Sequence, residues 1–75
     1  MITKEQAQRL ALEHLDRLDL RGFRYELKGV VSRPQHAEEW AVLFDIYTPD
    51  GRALDGPAVF VVDRASGAVR RFNDS

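Results

Sequence analysis

Ala58 to Phe72 reads AVFVVDRASGAVRRF, and this stretch decides the fold. An apolar run ends at Asp63, Gly67 follows, and a second, shorter alternation of apolar and polar residues starts at Val69. That order is a β-hairpin signal. Asp63 can accept hydrogen bonds from backbone N–H groups of the turn, Ser66 suits a turn, and Gly67 supplies the positive φ that a type I turn with a G1 bulge needs. The hairpin sets strands at about 58–63 and 68–72 and carries no chemistry of its own.

Working outward, Trp40 to Tyr47 (WAVLFDIY) is the strongest strand, rich in aromatic and branched residues. Between it and the hairpin, Thr48 to Pro57 (TPDGRALDGP) holds two Asp-Gly pairs and two prolines and reads as turns. Upstream, Phe23, Tyr25 and Leu27 alternate with Arg24, Glu26 and Lys28, which predicts a strand over about 23–31 with the charged residues outward. The polar segment Ser32 to Glu39 (SRPQHAEE) is expected to be a connection. At the start of the chain, Thr3 with Gln6 resembles a capping box, and Ala7, Leu10, Ala11, His14, Leu15 and Leu18 recur at three- and four-residue spacing. A helix over about 3–20 is predicted, stopped by Gly22.

One helix followed by four strands on short connections excludes parallel crossovers. The expected class is α+β: an N-terminal helix packed on one face of a four-stranded antiparallel meander, with residues 1–75 forming a single domain. Trp40, Val42, Phe44 and Ile46 are expected to pack against Leu10, Leu15 and Leu18.

Composition limits the function classes. Seventy-five residues bury only about 60–65% of the unfolded surface, so the core is small. Eleven basic against twelve acidic residues give a net charge of −1, which creates no field toward nucleic acid or an anionic membrane, and neither is expected as a partner. The absence of cysteine excludes disulfide staples and thiolate chemistry. Met1 to Glu5 lacks the apolar core of a signal peptide and no apolar run approaches a membrane span, so a cytoplasmic location is expected.

The side chains capable of chemistry all have plainer roles. His14 lies on the apolar stripe of the helix and His36 in the polar connection, too far apart in sequence to suggest ligand spacing. Glu38 and Glu39 are adjacent, so on an extended chain they point to opposite faces and do not pair for acid–base work. Ser32 and Ser66 have no histidine at a recognisable distance. Gly51, Gly56 and Gly67 precede no helix and form no phosphate loop, and Asp50, Asp55 and Asp63 do not follow calcium-loop spacing. Arg64, Arg70 and Arg71 with Phe72 are bordered by Asp63 and Asp74, against a nucleic-acid stripe. No catalytic residue, metal site or cofactor is assigned, and the chain is read as a non-enzyme.

The positive signal is hydrophobicity on two faces. A single helix covers only one face of the sheet, yet in the central strands both alternating sets are largely apolar: Trp40, Val42, Phe44 and Ile46 against Ala41, Leu43, Asp45 and Tyr47, and Val59 and Val61 against Ala58, Phe60 and Val62. Leu43, Tyr47, Phe60, Val62 and Phe72 are therefore the candidate partner-binding residues on the uncovered face, a patch of the kind that marks an interaction site. The expected occupant is another protein or a second copy of the chain.

A family resemblance enters from Trp40 onward. The strand at Trp40, the turn-rich segment, Leu54 with Gly56-Pro57, and Val59-Phe60-Val61-Val62-Asp63-Arg64 with Ser66-Gly67 and Val69 together resemble the bacterial immunity protein 35 family, which includes the YrhB-type proteins. The opening Ile2-Thr3 with Ala7 is similar to that family as well. The resemblance implies a small α+β protein that neutralises a toxin delivered by a neighbouring bacterium, or a holdase-like chaperone in the YrhB-type members. Asp50-Gly51 and Asp63 to Val69 also resemble PepSY-type domains, in which a helix precedes the strands. The expected function is thus a small protein-binding domain, immunity-like and toxin-occluding, with a PepSY-like or homodimeric domain as the alternative.

Overall fold

A computed structural model describes residues 1–33 and 35–72. Its elements are α1 (Lys4–Asp16), β1 (Arg24–Arg33), β2 (His36–Tyr47), β3 (Ala58–Asp63) and β4 (Val69–Arg71). The strands form one antiparallel sheet in the order β1-β2-β3-β4, and α1 packs across one face of it. This is the expected α+β meander.

The helix begins where the capping box puts it. Thr3 Oγ1 accepts from the Gln6 N–H at 3.2 Å, and Gln6 Oε1 accepts from the Thr3 N–H at 2.8 Å, so two otherwise unpaired donors are satisfied reciprocally. It ends at Asp16, four residues earlier than expected. Leu18 to Leu20 lead instead into a reversal in which Phe23 N–H donates to Leu20 C=O at 2.9 Å, with φ of 52° at Arg21 and 84° at Gly22. Positive φ at both central positions is the type I′ pattern, so Gly22 serves this turn and not a helix cap.

The largest difference from expectation lies between β1 and β2. Residues 36–39, expected as a connection, belong to β2, and Arg33 pairs with His36. Their polar side chains hide the strand from a periodicity argument, but pairing with β1 satisfies the backbone whatever the side chains are. β1 departs from simple alternation too. Register shifts between Leu27 and Gly29 and between Ser32 and Arg33 make Lys28 an extra residue, so Val30 resumes the helix-facing set that Tyr25 and Leu27 begin.

The hairpin reads as expected. Asp63 Oδ1 accepts from the Ala65 and Ser66 N–H groups at 2.8 and 2.9 Å, Gly67 N–H donates to Asp63 C=O at 2.8 Å, and φ at Gly67 is 79°. The two backbone donors hold the Asp63 carboxyl below the ordinary aspartate range. A second constraint on Gly67 is invisible in the turn itself. A Cβ there would lie 2.9 Å from Ile2 Cδ1 and 3.3 Å from Leu10 Cδ1, because the start of the chain is laid against the hairpin. Ile2 N–H donates to Arg64 C=O at 2.8 Å, and Trp40 Nε1 donates to Ile2 C=O at 2.9 Å.

The core lies between helix and sheet. Ala7 and Ala11 are fully buried and let the helix approach closely, and Leu15 completes its inner stripe. Beneath them Phe44 and Phe60 meet edge-to-face with centroids 5.7 Å apart, Tyr25 contacts both, and His14 stands edge-on to Phe60 at 5.7 Å. Val42, Ile46, Ala58 and Val62 fill the remainder, with Trp40 and Leu10 at the margin. Leu18 is not in this core: it is 44% exposed, because the helix has already ended.

Candidate protein-binding face

The face opposite the helix is read from the register. Two neighbouring rows cross it: Val31, Ala41, Val61 and Arg70, then Gly29, Leu43 and Val59, with Phe72 beyond Val59 through its N–H to the Val59 C=O at 2.8 Å. Both rows are apolar across their centre. On one side they are bounded by Glu26 opposite Asp45 and then Arg24 opposite Tyr47. On the other side stand Arg33 and Glu39.

This register corrects two of the five candidate residues. Phe60 and Val62 point under the helix, 1% and 0% exposed, and belong to the core. The reason is that β3 is apolar on both alternating sets, so only its pairing with β2 decides which set the helix covers: Val42 opposite Phe60 and Trp40 opposite Val62 put both residues on the Trp40 side. Leu43, Tyr47 and Phe72 do lie on the side away from the helix. Leu43 and Tyr47 are half-buried and Phe72 is 40% exposed. The residues that sequence reasoning left out of this face are Val59, Val61 and Val31, the last 51% exposed. The signal for the first two was present, since Val59 and Val61 alternate against Phe60, but nothing in the sequence labelled which set was which.

The polar boundary is organised by Glu39. Its two carboxylate oxygens are taken separately, Oε1 by Arg33 Nη1 and Oε2 by Arg70 Nη2 at 3.0 Å. Burial by itself raises the Glu39 carboxyl, but the hydrogen bonds and charges of Arg70 and Arg33 outweigh it and hold the group below the ordinary glutamate range. The Arg33 guanidinium also sits 5.2 Å above the Phe72 ring. This cluster roofs one end of the face, where Val61 is 1% exposed despite lying opposite the helix. At the far end Arg24 lies 4.9 Å over the Tyr47 ring, and Lys28 pairs with Asp45 at 4.0 Å. The charges of the boundary are thus paired among themselves around an apolar centre.

Gly29 opens that centre further. Its φ is not positive, and a Cβ built on it meets nothing within 4 Å, so neither conformation nor crowding requires glycine there. The row Gly29-Leu43-Val59 therefore has a gap beside Leu43.

The sheet edges are less inviting. β1 is bent by two register shifts in its ladder with β2 and carries Arg24, Glu26, Lys28 and Arg33, while β4 is three residues long with two arginines. Bulges, charges and short length are the devices by which edge strands resist adding another strand.

His36, Glu38 and Glu39 bring ligand-type atoms within 4.8 Å of one another. Since both Glu39 oxygens are held by guanidinium groups, the free donors are two exposed side chains, His36 and Glu38, 3.6 Å apart. Ser66 Oγ accepts from the Ala68 N–H at 3.2 Å, which gives it a turn role. Among the described residues no helix is long and apolar enough to cross a membrane. No family model, curated protein or solved structure matches the chain.

Proposed function

We propose that this chain is a small non-catalytic protein-binding domain that docks another protein on the sheet face opposite the helix. One observation carries the reading: Val31, Leu43, Val59 and Phe72 stay accessible on this face beside the buried Ala41 and Val61, framed by charged residues already paired with one another. An apolar centre inside a polar rim is the anatomy of a protein interface. Rim charges that satisfy each other locally keep little attraction for a polyanion, and the blunted edges favour docking on the face over strand addition. The specific form that the sequence resemblance supports is an immunity-like protein that covers the working surface of a toxin, and a cysteine-free chain suits the reducing cytoplasm.

The test is the pair of substitutions Leu43→Glu and Tyr47→Lys. Both residues lie outside the helix-facing core, so the double variant is expected to keep the circular dichroism and urea midpoint of the parent. The partners to try are the products of the genes that flank this chain's own, each co-expressed with it, with sedimentation of the chain alone at micromolar concentration to detect a second copy in their place. Capture of one toxin-like neighbour by the parent and not by the double variant is the expected result. Unfolding of the variant, or association unchanged by it, overturns the assignment of this face.

A further inference from the structure

A second feature lies on the helix side, away from that face. Between the turn that follows α1 and the adjoining end of the sheet runs a groove of about 400 Å³. Leu18, Phe23 and Leu54 line it while 44%, 37% and 44% exposed, and Ile46 and Tyr25 form its floor. Three large apolar side chains converge here, and each is brought there by a separate device. Leu18 is released by the early end of the helix. Phe23 follows the type I′ turn. Leu54 is returned to β2 by its N–H, which donates to Ile46 C=O at 2.9 Å.

The polar groups of the groove are few and mostly of one sign. Arg71 shares the helix-facing side of the sheet with Phe60, its register partner, and reaches the groove from β4. Arg21 lines it from the turn, held at a φ of 52° that is uncommon for a non-glycine residue. The one carboxylate present, Asp19, accepts from the Arg21 backbone N–H at 3.1 Å. Among the described residues neither guanidinium makes an ion pair.

An apolar trough with a small number of convergent polar groups is the usual composition of a small-molecule site, and guanidinium groups select a planar anion such as a carboxylate. We propose that this groove binds a free fatty carboxylate, its unbranched tail against Leu18, Phe23, Ile46 and Leu54 and its carboxylate on Arg71, with Arg21 beside it. A peptide terminus carries the same carboxylate but no unbranched apolar tail to lie along Leu18, Phe23 and Leu54, so it fits less well.

The experiment is a titration of the full-length chain with sodium decanoate below its micelle concentration, followed by methyl and amide NMR. Saturable shifts at Leu18, Ile46 and Leu54, weakened at least tenfold by Arg71→Gln, are expected. Decanol, which lacks the charge, and butyrate, which lacks the tail, should each bind at least tenfold more weakly than decanoate. Arg71 is exposed, so Arg71→Gln should keep the parent spectrum elsewhere. Equal binding of decanol, unchanged binding by Arg71→Gln, shifts centred on Leu43 and Val59, loss of spectral dispersion, or no shift at all would each overturn the proposal. So would tighter binding of an acetylated tripeptide ending in leucine.

Discussion

On the helix side of the sheet Val42, Phe44, Phe60 and Val62 are all but inaccessible, while on the opposite side only Ala41 and Val61 are buried, Leu43 and Val59 are half-buried and Val31 is 51% exposed. The two sides draw on the same strands and on similar residue types. What separates them is the layer above: a helix with alanines on its inner stripe closes over one, and only the long side chains of Arg33, Glu39 and Arg70 close over part of the other. An apolar set becomes core when a second layer excludes water from it, and stays a surface when the chain has no further element to supply. Among the described residues there is one helix, so one face is covered.

The strongest challenge to this comparison removes a ring from the covered side. Phe44 is fully buried and stacks edge-on with both Phe60 and Tyr25, so Phe44→Ala should cost about 3–5 kcal/mol through lost transfer free energy and a residual cavity. For a domain of this size that is most of the net stability, and the urea midpoint should fall to the point where the chain is largely unfolded near 37 °C. A midpoint that barely moves would mean that the covered side does not carry the fold.

A smaller effect is expected where the covered side is fastened at its end. Gly67 is fixed twice, by its φ of 79° and by the approach of Ile2 and Leu10. Gly67→Val places a branched side chain in the left-handed region and drives it into the N-terminal segment, and a loss of about 1–3 kcal/mol is expected from the backbone strain alone. Hydrogen exchange locates the damage. The Ile2 amide, bonded to Arg64 C=O, should lose protection before the β1–β2 amides do. Uniform loss across the sheet would show that the N-terminal fastening is no separate unit.

These local devices are legible because each is written in a few adjacent residues. The capping box of Thr3 and Gln6, the Asp63–Gly67 turn and the alternation of Trp40 to Tyr47 all act at short range, and the structure keeps them. Three things stayed hidden because they are decided at long range. Residues 36–39 are a strand through their pairing with β1, not through their own polar side chains. The helix stops at Asp16 although the apolar spacing continues to Leu18, and that exposure of Leu18 helps to create the groove. Phe60 and Val62 went to the wrong face because a strand that is apolar on both sides has a period but no label. The label comes from a register set across the ten-residue connection 48–57, whose length leaves pairing unconstrained by turn geometry.

The smallest expected effect sharpens the contrast from the open side. Within a strand glycine is destabilising relative to alanine by roughly 0.5–1 kcal/mol, because it surrenders more backbone freedom on folding. Gly29 has neither a positive φ nor any atom within 4 Å of a would-be Cβ, so the fold gains nothing visible by keeping it. Gly29→Ala should therefore raise stability by about 0.5–1 kcal/mol, read as a higher urea midpoint with an unchanged slope. A larger side chain at the same place should fill the gap beside Leu43. If that face docks a protein, Gly29→Phe should weaken the association while leaving the fold intact, which separates a position kept open for contact from one kept open for packing. A fall in stability with alanine would show instead that the bulge at Lys28 needs glycine next to it, and the gap would then be a by-product of strand geometry, with no part in binding.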